Sequence, residues 1–312
     1  MNEKKSYAGI DDFRLIAALL IVAIHTSPLA SFSETGDFIL TRIFARVAVP
    51  FFFTTSGFFL VSRYTYNAEK LGAFVKRTAI IYGAAILLYI PINIYNGYFK
   101  MDRLLPNMIK DIVFDGTFYH LWYLPASIIG AAIAWWLVKK LNYQKALIVA
   151  FVLYLIGLFG DSYYGIVERV SCLNSFYSLI FQVTDYTRNG IFFAPVFFII
   201  GGFIADDRQQ IALGEGVCGF VISFGLMFVE AMTLHHFNLQ RHDSMYLFLL
   251  PCMYFFFQLI LVFKGKRRVR LRTIALIVYI IHPMMIIMIR LCAKLLHLQE
   301  VLVENSIIHY LM

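Results

Sequence analysis

Residues 272–295 read RTIALIVYIIHPMMIIMIRLCAKL, and from Thr273 to Ile289 the stretch carries no Asp, Glu, Lys or Arg. An α-helix rises about 1.5 Å per residue, so a run of this length reaches across a hydrocarbon layer roughly 30 Å thick. In lipid the backbone has no water to bond to, which leaves a helix as the structure such a run adopts. Working outward, the same pattern recurs at 13–32, 46–62, 78–97, 120–138, 145–160, 190–205, 213–234 and 245–263. The chain turns apolar once more from Val301 to Met312, too briefly to cross, as the start of a tenth helix cut short. The expected fold is all-α: a polytopic membrane protein of about ten transmembrane helices, with residues 1–312 forming a single transmembrane domain.

Composition agrees. The 312 residues are 60% hydrophobic and 15% charged, with a mean hydropathy of +0.73, against about 25% charged residues in soluble domains. The net charge of +8 does not point to nucleic acid, because the basic residues sit in short loops between apolar blocks. Cys172, Cys218, Cys252 and Cys292 are far apart, with no CxxC or Cys/His cluster. Neither a metal site nor a disulfide framework is expected. No run of small residues resembling a cleavage site follows the first apolar block, so it reads as a retained helix.

Loop charges set an orientation. With the N-terminus in the cytoplasm, sixteen Lys and Arg fall in cytoplasmic segments (Lys4, Lys5; Arg63, Lys70, Lys76, Arg77; Lys139, Lys140, Lys145; Arg208; and six from Lys264 to Arg272). Eight fall outside: Arg42, Lys100, Arg103, Lys110, Arg169, Arg188, Arg241 and Lys294. Positive charge concentrates on the cytoplasmic side of membrane proteins, so the N-terminus is expected inside. Two outer loops exceed what a connection needs. Residues 98–119 hold an amphipathic run (Leu104, Leu105, Met108, Ile109, Ile112, Val113) suited to the membrane surface. Residues 161–189 are polar and aromatic, either a plain surface loop or a cap over a cavity.

Ionisable groups within apolar spans are expensive unless paired or turned to a cavity, so each marks a candidate site. Arg14 and His25 lie eleven residues apart on the first span, about three turns, and so share one helix face. Pro28 follows and frees a backbone carbonyl nearby. The second span opens on Arg46 and continues through Pro50, Ser56 and Gly57, which favours a kinked, closely packed helix. The fourth opens with His120, Trp122 and Pro125, which is either an interfacial aromatic belt or part of a site. The sixth opens on Arg188 and Asn189, the seventh carries Glu230, and the ninth places His282 directly before Pro283. A histidine in a water-accessible cavity can act as a general base near neutral pH.

Arg14 and His25, the Phe-Phe-x-x-Ser-Gly-Phe run at 52–58, His-Leu-Trp-Tyr-Leu at 120–124 and Tyr-Ile-Ile-His-Pro at 279–283 together resemble the acyltransferase-3 family. The resemblance implies about ten helices and transfer of an acyl group, usually acetyl from acetyl-CoA, to an acceptor across the membrane. It also implies that Arg14 and His25 are the catalytic arginine and histidine. GIDDFR at 9–14, VAIHTSPLASFSETGDF at 22–38, HLWYLPASIIGAAIAWW at 120–136, FGDSYYGIV at 159–167 and LHHFNLQRHDSMY at 234–246 further resemble the membrane half of VanT-type serine racemases. That resemblance implies L-serine uptake, vancomycin resistance and a bacterial cell membrane. It also implies a following racemase domain that holds pyridoxal phosphate and makes the full protein dimeric. Within these 312 residues no cofactor and no racemase chemistry are expected.

Two functional expectations stand side by side. A zwitterionic L-serine needs a cation for its carboxylate, offered by Arg14, Arg46 or Arg188, and an acceptor for its ammonium, offered by Glu230 or a histidine. Ser56, His120, Trp122, Asn189 and His282 complete the candidate substrate-binding set. In an O-acyltransferase, His25 would instead take a proton from a hydroxyl acceptor or carry the acyl group, with Arg14 on the donor. The orientation is directly testable. A cysteine at Lys266 should react only with membrane-permeant reagents and one at Lys100 with impermeant ones; the reverse labelling would invert the topology.

Overall fold

A computed structural model describes residues 7–62, 67–206, 211–263, 265–266 and 268–312, and every regular element among these residues is helical. Lys4, Lys5, Arg63, Arg208, Lys264 and Arg267, six of the residues counted for the orientation, lie outside the described residues. In chain order the principal helices are α1 (Ala8–Thr26), α2 (Glu34–Leu60), α3 (Ala68–Tyr95) and α4 (Leu104–Lys110). They continue with α5 (Tyr123–Lys140), α6 (Tyr143–Phe159), α7 (Ser171–Val183) and α8 (Ala194–Asp206). The last are α9 (Leu213–His236), α10 (Leu249–Val262), α11 (Val269–Leu295) and α12 (Ser306–Leu311). Four of them, α2, α3, α9 and α11, are long and apolar enough to cross a membrane, while α6, α8 and α10 are apolar but shorter.

A helix coincides with each of the nine apolar stretches, with instructive shifts at the ends. Helix α1 stops at Thr26, six residues before the expected end, because Ser27 turns left-handed (φ 49°) and Pro28 cannot continue the helix. Helix α2 begins at Glu34, not at Arg46, since Ser33 caps it by accepting the Gly36 N–H at 3.0 Å. The stretch read as a loop thus becomes a π turn at Ile39–Ile43 and a 3-10 turn at Phe44–Val47, and Arg46 sits in this irregular part. Pro50 has no N–H for the Arg46 carbonyl, so the distortion falls one turn ahead of the proline. Residues 161–189 contain α7, whose Leu173, Phe176, Leu179 and Val183 form an exposed apolar stripe. Helix α4 and the π turn after it keep Leu105, Ile109, Ile112 and Val113 exposed, as an amphipathic surface segment should.

The chain forms two compact units. The first comprises 1–52, 211–231 and 251–312. In it Phe13 meets Phe51 and Phe256 edge-on, with ring centroids 4.8 and 4.7 Å away. Ala17 and Ala18 are fully buried where α1 packs along α11. The turn after α1 is tied to α12: the Ser306 hydroxyl donates to the Pro28 carbonyl at 2.8 Å and the Ser306 N–H to the Ser31 hydroxyl at 3.2 Å. The Pro28 carbonyl, two residues beyond α1, is thereby satisfied.

The second unit comprises 53–210 and 232–250. Its centre is the crossing of α2 and α8, which approach through glycines. A Cβ at Gly57 would collide with the Phe198 carbonyl, and one at Gly201 with the Thr54 carbonyl. Phe53 fills the space beside them, against Tyr123 at 4.9 Å, Phe198 at 5.7 Å and Phe193 at 6.0 Å. Small residues that let helix backbones meet are the usual device in membrane bundles. Outward-facing Leu87 and Ile80 of α3 are more than half exposed, as are Val229 and Val221 of α9 in the first unit. Apolar surface of that extent suits hydrocarbon and not water. The crossing predicts that Gly57→Ala lowers stability by about 1–3 kcal/mol, the usual overpacking penalty. Gly225→Ala, where a Cβ meets nothing within 4 Å, should be neutral or mildly stabilising. Thermal denaturation in detergent measures both.

Candidate functional site

The two units hold different halves of the expected site, and each brings its residues together by its own logic. In the first unit, Arg14 ion-pairs with Asp11 one turn earlier on α1, both side chains being nearly buried. Asp11 also accepts the Arg268 N–H at 3.0 Å, so one carboxylate partners the arginine and ties down the residue that precedes α11. Further along α1, the His25 ring stacks on His282 with centroids 5.2 Å apart and planes 29° apart.

The His282 ring owes its orientation to Pro283. The proline interrupts α11 and leaves the Tyr279 carbonyl without its helical donor. His282 Nδ1 lies 2.9 Å from that carbonyl and 3.1 Å from the Val278 carbonyl. Carbonyl oxygens only accept, so Nδ1 carries the proton, and in the neutral ring Nε2 holds the lone pair. With Nδ1 held by carbonyls, His282 keeps Nε2 as an acceptor, the state a general base needs, and its ring lies against that of His25. Arg46 and Glu230 belong to the same unit, and both are buried.

In the second unit Arg188 is the organising residue. Its Nη1 donates to the Ser244 hydroxyl at 2.8 Å. Its guanidinium lies 4.2 Å from the Tyr186 ring centroid and 5.4 Å from that of Trp122. The Tyr186 ring in turn lies 4.7 Å from His242. Stacking uses the plane of a guanidinium and hydrogen bonding its edge, so an arginine seated on aromatic faces is oriented for a planar carboxylate. The turn that carries it is fixed from below. Asp115 accepts the N–H groups of Asp185 and Tyr186 and the Thr184 hydroxyl, at 2.8, 3.3 and 2.9 Å.

Asn189, expected to touch substrate, works on its own turn. Its Oδ1 accepts the Ile191 and Phe192 N–H groups, and its amide donates to the Tyr186 carbonyl. His120 is buried among Tyr89, Phe118 and Tyr119, with centroids 5.1 to 5.9 Å away. Ser56 is partly buried on α2, one residue before the Gly57 crossing.

Two other features of this unit were not foreseen from sequence. Asp111, Asp115 and Asp185 bring one carboxylate oxygen each within 4.8 Å of one another. Lys110 pairs with Asp185 at 2.8 Å, Asp111 accepts from the Tyr98 hydroxyl, and Asp115 is occupied as described. Burial pushes the carboxyls of Asp111 and Asp115 above their ordinary value. The cluster thus acts as a fastening between α4 and the Arg188 turn. A cavity of about 310 Å³ lies under α7, lined by Phe114, Phe176, Leu179, Val183 and Phe192 among others. Its walls are apolar apart from Thr184 and Asn189, so it does not suit a small zwitterion.

The acyltransferase-domain family, acyltransferase 3, matches residues 7–312. An amino-acid racemase of Enterococcus faecalis is 66% identical over 313 aligned residues, covering 100% of this chain and 44% of the relative. A second amino-acid racemase of that organism is 37% identical, covering 97% of the chain. A serine/alanine racemase of Enterococcus gallinarum is 33% identical, again covering 97% of the chain and 44% of the relative. The chain therefore spans somewhat under half the length of these relatives. No solved structure matches it.

The Asp11 arrangement yields a stability prediction. Asp11→Ala takes the carboxylate from a nearly buried arginine and the acceptor from the Arg268 N–H, and should lower stability by about 3–5 kcal/mol. Asp11→Asn keeps an acceptor and should lose less; equal losses in thermal denaturation would contradict the pairing.

Proposed function

The chain belongs to the acyltransferase-3 family of membrane-associated proteins, and on that premise we propose that it is the membrane domain of a VanT-type serine racemase, taking up L-serine for conversion to the D-enantiomer. Its similarity to proteins named amino-acid and serine/alanine racemase supports the reading. So does the coverage of 44% of each relative, which leaves room for a soluble racemase domain. In this reading residues 1–312 are one domain of about ten spans in a bacterial cell membrane, with the N-terminus inside. A racemase part would then lie on the cytoplasmic side, and its product would serve D-serine-ended cell-wall precursors in vancomycin resistance. The chemistry at carbon belongs to pyridoxal phosphate in that part; the present residues bind and orient the amino acid.

The observation that carries the proposal is the Arg188 group. An oriented guanidinium on two aromatic faces, bonded to a hydroxyl, fits the carboxylate of a small amino acid. With the N-terminus inside, Arg188 faces the side from which serine arrives. The His242 imidazole beside Tyr186 offers a ring nitrogen to the ammonium. The second reading, O-acyl transfer from acetyl-CoA to a hydroxyl acceptor, draws on the stacked His25 and His282 with Arg14 on the same helix. In it His25→Ala abolishes turnover without unfolding the protein.

Transport is tested in proteoliposomes. They should accumulate labelled L-serine faster than empty vesicles, with unlabelled L-serine competing and N-acetylserine competing poorly. Arg188→Ala should weaken apparent affinity roughly ten- to hundredfold, the worth of a hydrogen bond to a charged group. Uptake equal to empty vesicles, with and without a proton gradient, would remove transport by this domain.

A further inference from the structure

Two of the stretches that carry the racemase resemblance, 159–167 and 234–246, dock on each other in the second unit, bond by bond. Asp161 Oδ1 accepts the N–H groups of Ser244 at 2.7 Å and Met245 at 3.1 Å. The Asp161 carbonyl accepts the Arg241 N–H at 3.0 Å, and the Gly165 N–H donates to the Leu239 carbonyl at 2.7 Å. The Ser162 hydroxyl lies between the Asp161 carboxylate at 3.0 Å and the His242 carbonyl at 3.1 Å. The Tyr154 hydroxyl closes the far end by donating to the Tyr246 carbonyl at 2.6 Å. Asp161 and Met245 are wholly buried and Ser244 nearly so.

The strap 239–246 forms no helix between its ends, so its backbone has to be satisfied from outside. A single carboxylate oxygen gathers two successive N–H groups, and this fixes the plane of the Ser244 peptide and with it the direction of the serine side chain. That side chain is the one bonded to Arg188. His242, two residues earlier on the same strap, is the ring against Tyr186.

We propose that Asp161 is a positioning residue of the Arg188 site: by holding the backbone of 244–245 it sets Ser244 on the guanidinium and so fixes the orientation in which Arg188 meets a carboxylate. The role rests on the proposed serine-binding reading for its ligand, but not for its geometry. Removing the carboxylate leaves two buried N–H groups without that acceptor and lets the strap relax, while the Arg188 side chain itself is unaltered. Asparagine at 161 still presents an oxygen to both N–H groups, so it should preserve most of the effect.

The test uses the protein in detergent, with Asp161→Asn, Asp161→Ala, Ser244→Ala and the double variant Asp161→Ala/Ser244→Ala. One arm measures the rate at which phenylglyoxal modifies Arg188, read by peptide mass spectrometry without any ligand. The other compares binding of L-serine with that of L-serinamide, which keeps the amine and hydroxyl but lacks the negative charge. Asp161→Ala and Ser244→Ala should each speed modification of Arg188. Each should also narrow the preference for L-serine over L-serinamide roughly tenfold. The double variant should be no worse than the worse single one, because both act through one contact. Asp161→Asn should stay near the parent in both arms. Altered Arg188 reactivity without serine binding in the parent would support the positioning role and reject the serine reading. Unchanged reactivity in Asp161→Asn, Ser244→Ala and any folded Asp161→Ala protein alike would overturn the role, as would equal weakening of both ligands. If Asp161→Ala does not fold, Asp161→Ser, whose shorter side chain withdraws the oxygen from both N–H groups, takes its place, and unchanged Arg188 reactivity in it overturns the role.

Discussion

A charge placed among apolar helices must be given a partner, and the polar architecture of this protein follows from that constraint. Arg14 has Asp11 beside it on α1. Arg188 has the Ser244 hydroxyl and two aromatic faces. Asp161 and Asp115, both buried, are surrounded by backbone N–H and hydroxyl donors. The carbonyl released by Pro283 finds the His282 imidazole, and the Pro28 carbonyl finds Ser306. Each solution is local, yet each fixes the direction of a side chain on which a binding or proton-transfer function would depend.

The two units use the constraint differently. In the first, Pro283 exposes a carbonyl that His282 answers, Ser306 ties the turn after α1, and a stacked imidazole pair is left on α1 and α11. In the second, carboxylates organise loops: Asp115 holds the turn of Tyr186 and Arg188, and Asp161 holds the strap of His242 and Ser244. Acyl transfer asks for a proton relay and serine capture asks for an oriented cation. A member of the acyltransferase-3 family whose relatives are named racemases is the kind of protein in which both could be legible together.

The helices were plain in the sequence because hydrophobic blocks are long-range, redundant signals; a helix lies under each of the nine stretches. Irregular segments were not. The start of α2 was hidden by Ser33, Thr35 and Gly36, which read as loop residues although Ser33 is a cap. Helix α7 was hidden because Ser171, Asn174, Ser175, Ser178 and Gln182 interrupt its apolar residues, so it never forms a block long enough to read as a span. Of the candidate site, His25 and His282 stood out as ionisable residues inside apolar spans, and Arg188 and Trp122 as charged and aromatic residues where spans begin. Asp161, Asp115 and Ser244 did not, since their roles lie in bonds to backbone groups distant in sequence or lodged in another loop. Arg46 and Asn189 were conspicuous by type, but the sequence did not show that one sits in a distorted turn and that the other bonds its own loop.

The central claim is that the Arg188 group receives the carboxylate of serine. Isothermal titration of the purified protein with L-serine, with acetyl-CoA and with each in the presence of the other tests it most directly. The account predicts saturable L-serine binding that Arg188→Ala weakens and His25→Ala leaves intact, with acetyl-CoA having no effect on it. Saturable acetyl-CoA binding that depends on His25 or Arg14, with no heat from L-serine, would contradict it.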